Sequence, residues 1–214
     1  MKFSVSSNEL NKGLSAVIGA VPSKATLPIL ETILFEFEDG KLKLSATDLE
    51  IAIVEYIEAE IEEEGSVAIP ARRLLETLRQ LPNITVFFSV DERKNINFRT
   101  DKGNYKLVGD DADEFPEIPT LENGVEISAS TENINTAIDK TLFAVSSDDL
   151  RPAMMGVYFK IGTEESKFVA TDGYRLVEYV NKEIKGSAET EFIVPDKALG
   201  LVQKTTSGEE CEIT

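Results

Sequence analysis

The sequence predicts an α+β protein with a duplicated domain, in which each copy packs two helices on antiparallel sheet and the second copy is incomplete. Two observations carry this prediction. The segments LSATDLEIA (44–52) and FVATDGYRL (168–176) share Ala-Thr-Asp in similar surroundings, with Asp48 and Asp172 separated by 124 positions. Each copy also alternates segments of two-residue period, typical of strands, with segments of helical period.

The register of this repeat extends well beyond the shared tripeptide. Positions that match at the same offset are Leu10 and Ile134, Leu14 and Ile138, Pro28 and Pro152, and Phe35 and Phe159. After the tripeptide the offset becomes 125, which aligns Pro70 with Pro195. Two unrelated α+β domains would have to reach this register by chance, so we interpret it as a duplicated domain rather than a short solenoid repeat.

The domain boundary is predicted from composition. Residues 110–124, DDADEFPEIPTLENG, combine Pro116 and Pro119 with dense acids, which favours a linker. We therefore expect a first domain over 1–120 and a second over 121–214. A second copy as long as the first would run past Thr214, so we expect it to lack its last strands and the chain to be a fragment.

Each copy is predicted to open with a strand and a helix. The strands are Lys2–Ser6 and Glu126–Ser130. In the first helix, apolar residues share one face: Leu10, Leu14, Val17 and Ile18. We expect Ser7 or Asn8 to cap this helix, and Thr131 to cap its counterpart.

The next predicted elements are alternating strands. Ile33, Phe35 and Phe37 share one side of the first strand, and Asp39-Gly40 is a hairpin turn signal. The following segment KLKLSAT (41–47) alternates in the same way, and IEAEIEEEG (57–65) places its glutamates on the outer side.

A second helix is predicted after Pro70, a favoured first-turn residue. Its buried stripe is Leu74, Leu75, Leu78 and Leu81. Three more strands, Thr85–Val90, Asn95–Arg99 and Tyr105–Val108, complete the first copy.

The composition excludes several kinds of chemistry. Histidine is absent and Cys211 is the single cysteine, so Ser-His and Cys-His nucleophile pairs, an internal disulfide and a cysteine-based metal cluster are excluded. We expect no catalytic residue, no metal and no cofactor. The N-terminus lacks the apolar block of a signal peptide, and no apolar run approaches the roughly 20 residues of a membrane span, so we expect a cytoplasmic protein.

The charges sort by element. The net charge is −17, and the strands and turns hold most of the acid. The predicted helices carry a basic minority: Lys12, Arg72, Arg73, Arg79, Lys140, Lys197 and Lys204. A solvated charged surface is one interpretation. The other is a closed ring of repeated domains with basic helices inside and acidic sheets outside, through which DNA passes without base contacts.

An ordered set of segments resembles the bacterial beta sliding clamps, the processivity subunits of DNA polymerase III. The segments are MKFSV (1–5), LPIL (27–30), LSATDLEI (44–51), VAIPARRLLETLRQLP (67–82), DEFPEIP (113–119), LRPAMMGVYF (150–159), VATDGYRL (169–176) and FIVPDKAL (192–199). The resemblance covers essentially the whole chain. It implies a non-catalytic protein with three clamp domains per chain in a head-to-tail homodimer, here with an incomplete second domain and no third.

The resemblance also implies partners and sites. The partners are double-stranded DNA, bound without sequence preference, and short linear peptides of the polymerase, the clamp loader and repair proteins. The partner-peptide pocket maps to Met154, Thr171, Gly173, Tyr174, Arg175 and Leu176. Because the third domain supplies the other wall of that pocket, we expect the fragment alone to bind peptide weakly or not at all.

Two further sets of residues follow from the resemblance. The expected DNA contacts are Lys24, Arg72, Arg73, Arg151 and Lys197. Pro152, Ala153 and Asp148 depart from the family pattern, which leaves DNA contact by the loop 148–153 open. The expected dimer edge comprises Arg73, Lys102, Lys106 and Leu107.

Two other functions fit parts of the composition. The net charge suits an acidic DNA mimic or adaptor that engages basic proteins, but the basic helices do not. A hydrolase or magnesium enzyme built on carboxylates is the second alternative, although the sequence has no glycine-rich phosphate loop and no metal-spaced cluster. A mimic is expected to bind polycations with a steep salt dependence and to ignore circular DNA.

Overall fold

The computed structural model describes residues 1–119 and 127–206 and the backbone of 212–213. Residues 120–124 of the expected linker, Glu126 of the expected strand, and Cys211 lie outside the described residues. The chain divides into two compact units, Met1–Pro119 and Thr120–Thr214. Within the described ranges, no helix is long and apolar enough to span a membrane.

The first unit holds two helices and nine strands among its described residues. In chain order they are β1 (Lys2–Ser6), α1 (Ser7–Val17), β2 (Thr32–Glu38), β3 (Lys41–Thr47), β4 (Ala52–Ile57), β5 (Glu60–Glu63), β6 (Val67–Pro70), α2 (Ala71–Arg79), β7 (Thr85–Val90), β8 (Asn95–Thr100) and β9 (Gly103–Val108). The second unit follows the same order with β10 (Ile127–Ser130), α3 (Thr131–Thr141), β11 (Gly156–Ile161), β12 (Ser166–Thr171), β13 (Leu176–Asn181), β14 (Lys185–Gly186), β15 (Thr190–Pro195), α4 (Asp196–Thr206) and β16 (Glu212–Ile213).

The strand order repeats from one unit to the other. In the first unit the sheets run β4-β3-β2-β6 and β5-β1-β7-β8-β9, and in the second β13-β12-β11-β15 and β14-β10-β16. The described part of the second unit has no counterparts of β8 and β9. The duplicated α+β fold with an incomplete second copy is therefore confirmed, with the strands of each copy divided between two sheets.

The core of the first unit centres on α1 and a row of aromatic rings. Leu10, Leu14 and Val17 are fully buried, as the helical spacing predicts. The Phe3 ring stacks on Phe88 with 4.8 Å between centroids. Stacked neighbours continue this row across β8 and β9, so burial of aromatic surface ties the five-stranded sheet together.

The predicted helix caps are wrong by one residue. Ser6 precedes α1 and makes no side-chain cap bond, whereas the Ser7 hydroxyl donates to the carbonyl oxygen of Pro82 at 2.8 Å and accepts from the Ile84 N–H. In the second unit, Ser130 Oγ accepts the N–H of Asn133 at 3.2 Å, so Thr131 is already helical. A bond to a distant segment takes the place of the first cap.

The first half of the expected linker is part of the first unit. Asp110 forms a backbone bridge with Ala68, and Phe115 is buried in a small cluster with Leu34 and Ala68. Lys94 and Asp111 form an ion pair at 3.1 Å. The prediction of a linker beginning at residue 110 is therefore wrong, and this segment explains why Leu34 is buried on the face of β2 that was expected to be polar.

Candidate functional site

The turn between β12 and β13 is shaped by two short polar side chains. Thr171 Oγ1 donates to the carbonyl oxygen of Arg175 at 2.7 Å and accepts the N–H of Gly173 at 3.1 Å. Asp172 Oδ1 accepts the N–H groups of Tyr174 and Arg175 at 2.9 and 3.0 Å. Gly173 has a φ of 88°, which favours glycine. Four local hydrogen bonds therefore fix the backbone on which the expected pocket residues stand.

The Arg175 side chain is held at three points. Its Nε donates to Asp172 Oδ2 at 2.9 Å, and its Nη2 donates to the carbonyl oxygen of Phe143 at 2.9 Å. The guanidinium carbon also lies 5.4 Å from the centre of the Phe143 ring, within the range of a cation–π contact. The structure thus presents a cationic group in a defined position beside an aromatic surface.

A second loop lies against this turn. The N–H of Ser146 donates to the carbonyl oxygen of Met154 at 2.8 Å, which closes the loop 146–154. Arg151 Nε donates to Asp148 Oδ2 at 2.8 Å. Arg151 Nη1 lies 3.2 Å from the point that a β-carbon on Gly173 would occupy. The structure therefore brings Arg151, expected at DNA, next to the expected peptide pocket.

Exposed apolar side chains surround the turn. Tyr174 is 97% exposed and Leu176 69%, and Met154 is half-buried on the adjacent loop. Two further apolar residues, Phe143 at 56% and Leu150 at 86%, were missed from the sequence. Phe143 corresponds to Gly19 in the first copy, so the repeat itself carried a signal that this position differs between the units. Apolar anchors beside a fixed cation suit an extended peptide with apolar side chains.

The Asp172 carboxyl should titrate at low pH. The backbone N–H groups of Arg175 and Tyr174, and then the Arg175 side chain, hold its pKa below the ordinary value. Because the folded pKa is lowered, this stabilisation is present above the unfolded pKa of about 3.9 and is lost as the pH falls through the folded pKa. In an NMR titration, the Tyr174 and Arg175 amide signals are expected to stay constant down to about pH 4. A transition centred above that pH would contradict this.

The first unit repeats the same turn without the arginine. Thr47 Oγ1 donates to the carbonyl oxygen of Ile51 at 2.9 Å, and Asp48 Oδ1 accepts the N–H groups of Glu50 and Ile51. Leu49 takes the place of Gly173 with a φ of 78°. The shared Ala-Thr-Asp therefore encodes one backbone turn, and Arg175 is an addition of the second unit.

Leu49→Gly is expected to stabilise the first unit. The left-handed conformation costs a leucine about 1–2 kcal/mol, and the greater chain entropy of glycine returns part of this, so a net gain of about 0.5–1 kcal/mol is expected. Urea denaturation measures it. A loss of stability would show that Leu49, which is 61% exposed, makes contacts worth more than the strain.

The expected DNA contacts of the first unit lie around α2. Leu74, Leu75 and Leu78 are buried, and this places Arg72 and Arg73 on the exposed side of the helix. Arg72 Nη2 donates to the carbonyl oxygen of Val21 at 3.4 Å, at the start of the loop that carries the exposed Lys24. The structure therefore brings Arg72 close to the Lys24 loop.

Arg73 faces the edge of the five-stranded sheet. A shallow cavity of about 490 Å³ is lined by Arg73 together with Lys106 and Leu107 of β9. Lys102 lies in the turn between β8 and β9, where its N–H donates to Thr100 Oγ1, and it does not line this cavity. Three of the four expected edge residues thus share one surface beside β9, whose outer side has no strand neighbour within the described part of the chain.

In the second unit, Lys197 is exposed in the first turn of α4. The four helices contain seven basic residues, those expected from the sequence, and five acidic ones: Glu9, Glu76, Glu132, Asp139 and Asp196. Their balance of +2 contrasts with −17 for the whole chain. In the described residues, no group of three or more His, Cys, Asp or Glu side chains is placed to hold a metal ion.

Comparison with known proteins covers both units. Residues 1–119 match the family described as DNA polymerase III beta subunit, N-terminal domain, and residues 128–214 match DNA polymerase III beta subunit, central domain. The chain is 33% identical over 203 residues to the beta sliding clamp of Synechococcus elongatus and 31% identical over 213 residues to that of Bacillus subtilis. These alignments cover 93% and 95% of this chain but 54% and 56% of the relatives, so the chain spans about half their length.

Solved structures agree with this assignment. The DNA polymerase sliding clamp from Bacillus subtilis matches with a TM-score of 0.93 and 30% identity, over 100% of this chain and 60% of that one. A sliding clamp from Pseudomonas aeruginosa bound to griselimycin matches with a TM-score of 0.88 and 27% identity, over 99% of this chain and 58% of that one.

Proposed function

Because this chain belongs to the DNA polymerase III beta subunit family, we propose that it supplies the N-terminal and central domains of a sliding clamp that encircles duplex DNA and tethers the replicative polymerase. The observation that carries the proposal is the match of two different domains of one family, in order, to two units with the same strand order. The ring itself is a property of the whole protein, which in the relatives is almost twice as long.

A ring holds DNA by topology and does not need a tight contact. The helices carry a balance of +2 while the rest of the chain is strongly acidic, which suits helices that face the phosphates and sheets that face away. Contacts to phosphates carry no sequence information, so such a ring can slide. Lys24, Arg72, Arg73, Arg151 and Lys197 are the proposed contacts, and all five are exposed.

Ring closure requires a partner for the free edge of β9. We assign this role to the surface formed by Arg73, Lys106 and Leu107, with Lys102 at the neighbouring turn. An unpaired strand edge offers N–H and C=O groups to another chain, which suits a head-to-tail homodimer. Neither the edge nor the pocket requires catalysis, so the proposed protein is a non-catalytic processivity factor and the polymerase chemistry belongs to another subunit.

Partner proteins are proposed to bind the turn between β12 and β13 through short linear peptides. The fixed backbone, the exposed Tyr174 and Leu176, the half-buried Met154 and the anchored Arg175 support this role. The Pseudomonas aeruginosa relative has been solved with griselimycin, so a member of this family accepts a ligand other than DNA.

Reversing two charges tests the proposed DNA contacts. Lys24→Glu combined with Arg72→Glu is expected to weaken binding of the full-length protein to duplex DNA and to reduce the salt dependence by about two phosphate contacts. The control is Lys160→Glu combined with Lys167→Glu, the same charge change on strands of the second unit. Salt titrations of DNA affinity make the measurement. An equal effect of both pairs would mean that only net charge matters.

A primer-extension assay tests the function as a whole. The full-length protein, its clamp loader and its polymerase are expected to make products much longer than those of the polymerase alone on a primed single-stranded circle. The net charge of −17 favours an acidic DNA mimic as the second candidate. A mimic would leave product length unchanged or shorten it, and would bind polycations with a steep salt dependence.

A further inference from the structure

The two units provide an internal comparison of the same turn. In both, a threonine hydroxyl and an aspartate Oδ1 make the four bonds that shape the backbone. The turn therefore needs only one of the two carboxylate oxygens. In the second unit the other oxygen of Asp172 accepts Arg175 Nε at 2.9 Å, and the position of Arg175 is Ile51 in the first unit.

The second carboxylate oxygen acts on an otherwise mobile side chain. Arg175 is 55% exposed, and a free arginine side chain loses about 1.5–2 kcal/mol of conformational freedom when a ligand fixes it. Asp172 and the Phe143 carbonyl oxygen fix the guanidinium from opposite ends, at 2.9 Å each, and the Phe143 ring lies beneath it at 5.4 Å. The cost of ordering Arg175 is thus met when the protein folds.

We propose that Asp172 and Phe143 are positioning residues that hold Arg175 ready for the partner peptide. This inference rests on the proposed peptide-binding function of the turn. Asp172 acts through Arg175 and not through a contact with the peptide. The Phe143 ring, which is 56% exposed, extends the apolar wall of the pocket and restrains the guanidinium. A preorganised group increases affinity because binding no longer has to order it.

The choice of substitution separates positioning from folding. Asparagine accepts the same backbone N–H groups and supports the same kind of turn, so Asp172→Asn keeps the backbone and removes the charge that attracts Arg175. Asp48→Asn makes the identical change in the matching turn of the first unit, where the arginine is replaced by Ile51. Any effect on the turn alone appears in both variants.

The experiment is a double-mutant cycle on the full-length protein. Fluorescence anisotropy measures the affinity for a labelled extended peptide with adjacent leucine and phenylalanine. Asp172→Asn is expected to weaken binding about 3- to 10-fold, and Asp48→Asn to leave it unchanged. In the Arg175→Ala background, Asp172→Asn is expected to change affinity by less than about 1.5-fold, because its effect runs through the missing arginine.

The outcomes distinguish the inference from the proposed function. If Asp172→Asn weakens binding equally with and without Arg175, Asp172 does not act as a positioning residue and the inference is wrong. A loss in Asp48→Asn as large as in Asp172→Asn would also overturn it. If the unaltered protein does not bind the peptide at all, the proposed peptide-binding function fails, and the inference fails with it.

Phe143→Leu tests the ring separately. Leucine keeps an apolar side chain and the backbone carbonyl that Arg175 uses, but removes the aromatic face. Affinity is expected to fall about 2- to 5-fold, as a cation–π contact at an exposed site implies. The same variant in the Arg175→Ala background is expected to lose less. Unchanged affinity in Phe143→Leu would remove the ring from the account.

Discussion

Phe3→Ala is expected to destabilise the first unit by about 3–5 kcal/mol, a large part of the 5–15 kcal/mol that typically stabilises a domain. Phe3 is 2% exposed and contacts the rings of Phe88, Phe37 and Phe35 at 4.8, 5.6 and 6.5 Å. Removing its ring leaves a cavity at the point where the two sheets share one core. Urea denaturation followed by circular dichroism measures the loss.

Phe87→Ala is the matched control, because Phe87 lies next to Phe88 on β7 but is 40% exposed. Its cost is expected to stay near 1 kcal/mol, mostly from the contact of Arg99 with its ring at 5.5 Å. Hydrogen exchange should place the Phe3→Ala effect in residues 1–119. Similar costs for both substitutions would mean that the aromatic row does not organise the core.

Gly173→Leu is expected to have the largest effect on partner binding. A leucine at a φ of 88° costs about 1–2 kcal/mol of stability. The new β-carbon would lie 3.2 Å from Arg151 Nη1, so the side chain enters the rim of the proposed pocket. Overpacking of about 1–3 kcal/mol corresponds to an affinity loss of about 5- to 150-fold in the peptide-binding measurement on the full-length protein.

Gly40→Leu separates the strain from the crowding. Gly40 has a similar φ of 77°, and a β-carbon there would meet nothing within 4 Å. It is expected to reduce stability by a similar amount and to leave peptide affinity unchanged. If Gly40→Leu reduced affinity as much as Gly173→Leu, the effect would come from general destabilisation and the pocket assignment would lose its support.

Local interactions explain why much of the fold was predictable. The Ala-Thr-Asp turn depends on bonds between residues at most four positions apart, so the same three residues give the same turn in both units. The face of α1 was predictable because Leu10, Leu14 and Val17 follow the helical period. The hairpin at Asp39-Gly40 was predictable because both residues have a positive φ.

The errors come from contacts between distant segments. Ser7 bonds to Pro82 and Ile84, more than 70 positions away, which a local capping rule does not anticipate. Leu34 is buried by Phe115 from the segment expected to be a linker. Phe143 was missed as a site residue because its partner, Arg175, lies 32 positions along the chain. The resemblance named the pocket residues, and the structure shows what holds one of them in place.

Retention on DNA before and after cutting tests the central claim most directly. The full-length protein is loaded by its clamp loader onto nicked circular DNA, and the bound fraction is measured before and after the circle is linearised. Topological linkage predicts retention on the circle and loss from the free ends of the linear form. Equal retention on both forms would mean ordinary surface binding and would contradict the sliding-clamp account.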